Sequence, residues 1–455
     1  MKTLYIGLIL VSILLGACNG FLDVVPKGKN TLNSIEDLET LLNDDFAQGW
    51  GMSDDLLMIT NEMYPAKTPA FYINEGKGLI YGYMTYDESV DRVSLAEANT
   101  LYSQAYKKIT TYNVLISKIN DVSGDAAHKQ QLVAEAKTLR AWCHWIVVNI
   151  FAQAYTPDRA ASLGGIPYVV DVNFENKNEK LSLYKVYEKL LEDLSEENLQ
   201  VLADQPKNIQ RVSKAFGYAV KAKVLLSMQN YPDALKTAQK SLTFNDNMED
   251  RRAYIGSTPV KDKEAPNNLL FAPGSYQAPV WNVISAEWVK LYEPGDVMRW
   301  YTNLYEDASA TQGIAGCYTW KNGTKYIYNS SGIRVEDMIL VKAECQARGN
   351  DIPGAMTTLN DLRKLRIHPD EYQKLEATTV VQAMKHIIRV SRIEYLFTYN
   401  NFFNMKRWNT EENYKQDITR TVNGVTYTLK PGSPYWVIPF PAQATQFNPS
   451  LTQNF

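Results

Sequence analysis

Histidine and cysteine are scarce in this chain, with four of each among 455 residues. His128, His144, His368 and His386 share no spacing that would set two imidazoles on one ion, so the sequence implies no metal and no cofactor. Apart from Cys18, the cysteines Cys143, Cys317 and Cys345 are odd in number and far apart, which rules out a disulfide framework. Cys143 and Cys345 fall in helical patterns and read as packed thiols. There is no Gly-x-Ser-x-Gly turn, no phosphate-binding Gly-x-x-x-x-Gly-Lys and no His-Glu-x-x-His zinc helix. Blocks of five or six like charges are missing too. With 47 Lys and Arg against 50 Asp and Glu, the net charge is −3, which argues against nucleic acid as a partner. A mean hydropathy of −0.31 excludes a polytopic membrane protein.

One apolar run stands out. Lys2 precedes an uncharged stretch from Leu4 to Leu15, followed by Gly16, Ala17 and Cys18. Twelve residues of helix span about 18 Å against a hydrocarbon core of about 30 Å, so the layout is that of a secretory signal rather than a spanning helix. Leu15 to Cys18 also resembles the lipobox of bacterial lipoproteins, in which the cysteine becomes the lipidated first residue. On that reading residues 1–17 are a signal peptide, Cys18 is the lipidation site, and the chain is tethered to a membrane without crossing it.

Helical periodicity dominates what remains. Leu183, Tyr187, Leu190 and Leu194 recur at half-buried helix spacing with Glu188, Glu192 and Asp193 between them. Similar patterns predict helices over about 95–120, 126–154, 213–229, 231–244, 335–349, 353–366 and 379–403. Strand signals are confined to Thr426–Leu429 and short pieces near 317–328, and long loops are expected at about 47–94, 155–180, 246–333 and 409–455. Ala222 and Ala234 lie twelve residues apart across a helix, a short turn and the start of a second helix, and Ala343 and Ala355 repeat that spacing. Small residues there let two helices approach closely, as in tetratricopeptide hairpins. The copies are too distant for a tandem array, so the fold class predicted is mostly α: interrupted tetratricopeptide-like hairpins with long loop-rich insertions.

Several segments resemble the SusD/RagB family of outer-membrane nutrient-binding lipoproteins of Bacteroidetes. Cys18, Phe21-Leu22-Asp23 and Pro26 resemble its mature start. Glu135-Ala136, Arg140-Ala141 and Gly164-Gly165-Ile166-Pro167 resemble its next helix and turn, and Arg334, Asp337, Ala343-Glu344, Leu359-Asn360 and Arg363 follow its order. Arg392, Glu394, Lys406-Arg407-Trp408 and the closing Ile438-Pro439, Asn448-Pro449 and Gln453-Asn454 complete the likeness over nearly the whole chain. Two departures occur: Thr398-Tyr399-Asn400-Asn401 stands where the family has Glu-Gly-His-Arg, and Asn404 where it has Asp. The resemblance implies one SusD-like domain over 18–455, with a helical scaffold at about 33–46, 95–154, 182–245 and 334–405, binding insertions at about 47–94 and 246–333, and an irregular segment at 409–455. It implies an outer-membrane, surface-exposed lipoprotein that captures oligosaccharide or polysaccharide and delivers it to a SusC-like TonB-dependent transporter. Arg334 with Asp337, and Glu344 with Arg363, are expected to pair within the scaffold.

The 9 Trp, 29 Tyr and 14 Phe supply the chemistry for such a ligand. A sugar ring has apolar C–H faces and a polar rim, so a flat ring removes the face from water while amides and carboxylates bond the hydroxyls. Aromatic residues in loops beside Asn or Asp are therefore the candidates: Trp50 near Asp54 and Asp55; Tyr81, Tyr83 and Tyr86 near Asp87; Trp281 with Asn282; Trp288; Trp300-Tyr301 with Asn303; and Trp320 with Asn322. Tyr81, Tyr83, Tyr86 and Trp320 lead, because Gly78, Gly82, Gly316 and Gly323 interrupt their segments. Trp142, Trp145 and Trp408 read as core by helical position. Two other functions stay open at this stage. A surface glycoside hydrolase would need two carboxylates about 5–10 Å apart, for which Asp54-Asp55 is a better source than the solvated Glu196-Glu197. A RagB-like protein would take a peptide instead.

Overall fold

The computed structural model describes residues 32–43, 54–65, 69–173, 175–257, 265–272, 282–304, 316–320, 329 and 331–455. Signal peptide, lipobox and Cys18 lie outside the described residues. The fold is built from helical hairpins. The first joins Thr100–Lys118 to Ala126–Phe151, the second Lys214–Ser227 to Tyr231–Leu242, and the third Val335–Arg348 to Ile352–Lys364. The second packs on the first through Ala126–Phe151 and on the third through Val335–Arg348, so hairpins stack across the intervening residues 243–334 as neighbours in a solenoid would. Leu183–Asp193 covers the first hairpin, and Val380–Glu394 lies on both helices of the third.

Local chemistry sets the helix ends. Asn99, Asp125, Ser213 and Thr379 each accept a hydrogen bond from the backbone N–H three residues on, satisfying a donor that the first turn leaves unpaired. The second and third hairpins turn identically. Gln229 (φ 61°) and Asn350 (φ 65°) adopt the left-handed conformation, Asn230 and Asp351 cap the next helix, and Pro232 and Pro353 occupy its first turn. Ala222, Ala234, Ala343 and Ala355 are all fully buried where the helices meet. Trp142 meets Phe216 edge-on at 5.7 Å to join the first two hairpins.

Buried ion pairs lock the scaffold to the insertion. Glu394 accepts from Arg251 at 2.9 Å, Arg334 at 3.1 Å and Arg366 at 2.9 Å, and Arg366 also reaches Glu336 at 3.0 Å. Arg334 lies 3.7 Å from Asp337, as its spacing implies. Glu344 does not meet Arg363. It pairs with Arg348 and Arg407 at 2.8 and 2.7 Å, while Arg363 turns outward to Glu293, with Nε 2.9 Å from Oε1.

Four expectations need correction. The helix expected over 379–403 is two, Val380–Glu394 and Tyr399–Trp408, because Phe397 (φ 64°) reverses the chain and Thr398 caps the second helix. The helix at 33–46 is only Ile35–Thr40 among the described residues. Among its described residues the 47–94 loop holds four short helices: Asp54–Ile59, Pro69–Asn74, Leu79–Thr85 and Arg92–Leu95. Asp54 and Asp55 therefore open a helix rather than sit in a loop. In the C-terminal segment, the expected strand at Thr426–Leu429 is Val425–Leu429, paired antiparallel with Ile418–Val422. The residues that depart from the family pattern serve the fold: Asn400 bridges Lys223 at 2.8 Å and Asp337 at 3.2 Å, and Asn404 accepts from Arg407 at 3.1 Å.

Candidate functional site

The two insertions meet in one small sheet. Its strands run in the order Met63–Pro65, Asn282–Ile284, Tyr318–Trp320, Thr302–Leu304, all antiparallel. Ile284 faces Tyr318 in register, and Thr302 faces Trp320. Backbone pairing thus brings together three segments chosen from sequence: the one beside Trp281, the one following Trp300-Tyr301, and the one carrying Trp320. Val283 and Ile284, on opposite faces of their strand, and Cys317 are buried, and burial pushes the Cys317 thiol up to about 12, so it is an inert packing group.

Next to the edge strand the chain makes a tight turn. Gly295 has φ +73°, and a Cβ there would lie 2.4 Å from the Cβ of Glu371, so only glycine fits. Asp296 then caps a single 3₁₀ turn, Val297–Tyr301, by accepting from the N–H of Met298 at 2.9 Å. The turn is tied to the third hairpin through Val297 N–H to Arg366 O at 3.0 Å, His368 N–H to Gly295 O at 2.8 Å, and the Glu293–Arg363 ion pair. Val297 and Met298 point inward and are buried. Trp300 points outward at 38% exposure, its ring 5.1 Å from that of His368. The other tryptophans whose side chains are described, Trp142, Trp145, Trp288, Trp408 and Trp436, are all 5% exposed or less.

Arg299, beside it, is held rigidly. Its Nη2 donates to the Tyr318 hydroxyl at 2.8 Å, its Nη1 to Thr302 Oγ1 at 3.2 Å, and the guanidinium lies 4.2 Å from the centre of the Tyr318 ring. The 292–295 turn, Arg299, Trp300 and Thr302 border an open groove of about 610 Å³. A flat exposed ring and a fixed cation beside one open groove can stack on a sugar face while bonding its rim, whereas the buried Thr302 hydroxyl is occupied, donating to Arg299 O at 2.8 Å.

The tyrosine cluster is not part of such a surface. Leu79–Thr85 is a helix, and Gly82 interrupts nothing: a Cβ there would lie 2.5 Å from the Tyr435 hydroxyl, so the glycine admits a neighbouring ring. Tyr83 is 2% exposed and packs edge-on against Tyr435 at 6.2 Å. Tyr86 is also buried, its hydroxyl donating to Ile59 O at 3.1 Å. Arg420 fastens this unit by donating to the carbonyls of Tyr83 and Met84 at 2.9 and 2.8 Å. Tyr81 is half-buried, with its hydroxyl 3.3 Å from Asp87. Trp288, another candidate, is buried with its indole N–H donating to Thr60 O at 3.2 Å. Trp50, Trp281 and Asn322 lie outside the described residues, and for Asp54 and Trp320 the backbone alone is described. Arg299 and His368 were not candidates. Pro294-Gly295-Asp296, a turn followed by a cap, was the available signal for a projecting 3₁₀ turn.

Comparisons with known proteins agree with this architecture. Residues 20–226 match a family described as starch-binding and associating with the outer membrane, and residues 316–455 match the SusD family. A SusD superfamily protein from Bacteroides thetaiotaomicron superposes with a TM-score of 0.73 at 18% identity, covering 93% of this chain and 100% of its own. SusD-like carbohydrate binding proteins from Bacteroides vulgatus (TM-score 0.65, 16% identity, 92% and 97% covered) and Bacteroides fragilis (TM-score 0.65, 14% identity, 92% and 99% covered) are similar as well. Such identities show a shared fold. No curated protein sequence matches. Stacked tetratricopeptide-like hairpins with a sheet built from their insertions define a SusD-type helical protein. The chain belongs to the SusD/RagB family.

Proposed function

We propose that this protein is a glycan-binding lipoprotein of the outer-membrane surface, anchored through Cys18, that captures an oligosaccharide and passes it to a SusC-like TonB-dependent transporter without cleaving it. The observation carrying this reading is Trp300, an exposed ring on a rigid turn above a groove of about 610 Å³. The family's description as starch-binding and the carbohydrate-binding names of two structural neighbours support the ligand class. Trp320, Trp281, Asn322, Trp50, Asp54 and Tyr81 are the further residues we assign to ligand binding on their sequence pattern. Affinity of about 4–8 kcal/mol, µM to mM, suits a ligand that must be released.

Isothermal titration of residues 18–455 against a panel of oligosaccharides tests this. Binding to at least one glycan is expected, with chain length and reducing ends unchanged after incubation. Trp300→Ala should weaken it about tenfold while lowering the melting temperature little, since the ring stands outside the core at 38% exposure. No binding by the intact chain, or full binding by the variant, would overturn the reading.

A further inference from the structure

Arg299 is the feature of the groove that a platform for neutral sugars does not need. Among the described residues no carboxylate lies within ion-pair distance of its guanidinium, which rests on two hydroxyls and a ring. Two acidic groups nearby are committed elsewhere, whereas Asp370 and Glu371 are exposed, beside His368 and Gly295. Glu293 is matched to Arg363, with Nε 2.9 Å from Oε1, and Asp296 is buried below the turn with Oδ1 accepting the Met298 N–H at 2.9 Å. Asp370 stands near His368, 3.7 Å from its Nδ1. With two of its five N–H groups used, Arg299 keeps three donors in a fixed fork, the geometry that grips a carboxylate or sulfate in two places.

We infer that the groove beside Trp300 selects an acidic glycan, one whose sugar ring stacks on Trp300 while its carboxylate or sulfate ester is held by Arg299. This rests on the glycan-binding reading above and narrows its substrate class. Holding the guanidinium in place beforehand reduces the ordering cost of forming the pair.

The experiment titrates the intact protein with oligogalacturonate, a chondroitin sulfate oligosaccharide and maltooligosaccharide of matched length, at low salt and at about 1 M salt, where screening acts within about 3 Å. At low salt at least one acidic ligand should bind about tenfold or more tighter than the neutral one, and high salt should erase that preference. Which acidic ligand wins separates carboxylate from sulfate. Arg299→Gln should lower acidic affinity to the neutral level, and Arg299→Lys should recover only part of it, because an ammonium keeps the charge without the fork. Salt dependence of the unaltered protein gives the same answer should the variants fold poorly. A salt-independent preference, or equal affinity for neutral and acidic ligands with Trp300→Ala still weakening both, overturns the inference and leaves glycan binding standing. Failure of all three ligands and of the wider panel overturns both.

Discussion

Gly82 shows how a single residue reassigns a whole cluster. The hydroxyl of Tyr435 occupies the space where its Cβ would stand and donates to Asp87 O at 2.7 Å, so Tyr83 and Tyr86 are drawn into the core around that ring. Gly82→Ala should therefore cost about 1–3 kcal/mol of stability by overpacking. Urea denaturation of the variant checks this, and a midpoint unchanged from the parent would mean that the ring moves aside freely. At this scale the sequence was only half legible. Trp142, Trp145 and Trp408 are core as helical spacing predicts, but Gly82 read as a loop breaker because nothing local announces a partner 353 positions later. Trp300 stood among the candidates as a loop aromatic near Asn303. Its exposure comes from the 3₁₀ turn, where Val297 and Met298 take the inward positions.

Between residue and molecule, the hairpin turns are the most legible elements. The Ala…Ala spacing of twelve predicted two like hairpins, and Gln229 and Asn350 occupy equivalent left-handed positions. Asn350 is exposed and sits where glycine is preferred. Asn350→Gly should hold or raise stability by up to about 1 kcal/mol, and Asn350→Val should lower it by more than that. Thermal unfolding of the pair checks the sign, and a stabilising valine would refute the assigned backbone. Less legible was the break at 397, because 379–403 keeps its apolar period through a residue that tertiary contacts bend: Phe397 N–H donates to the buried Glu62 at 3.1 Å. The strand Ile418–Val422 was missed although Asn423-Gly424, both at positive φ, is a two-residue hairpin signal.

For the molecule as a whole, buried titratable groups set the pH response. His144 is fully buried, with Nδ1 2.9 Å from Arg140 O and Nε2 accepting the Val169 N–H at 3.1 Å, which fixes the neutral form. Burial, together with the nearby Arg140 charge, pushes it down to about 3. The unfolded chain takes up this proton below the ordinary value of 6.5, so stability is lost as pH falls from 6.5 toward 3. Burial opposes ionisation of Glu394, but Arg251, Arg366 and Arg334 outweigh it and hold its carboxyl down at about 2. Arg407 and Arg348 do the same for Glu344, also about 2, so both contributions are present above 4.5 and fade as pH drops toward 2. Burial raises Glu62 to about 8 and Asp296 to about 6, so both add stability as pH falls through those values and offset the loss from His144. Melting temperature should fall steeply only below about 4.5, and His144→Gln should remove the loss contributed between 6.5 and 4.5. An unaltered slope in that variant would remove His144 from the account.

The sheet under the groove has a consequence for biogenesis. Met63 waits for Ile284, Ile284 for Tyr318, and the first hairpin for Asn454, whose side-chain amide donates to the carbonyls of Phe151 and Gly165 at 2.7 and 2.9 Å. A polypeptide emerging from the ribosome in order can lay down its early helices at once, yet it cannot assemble the sheet beside the proposed groove until residue 320 has been made. Copies that stop short of residue 320 therefore lack this sheet and with it the proposed binding face.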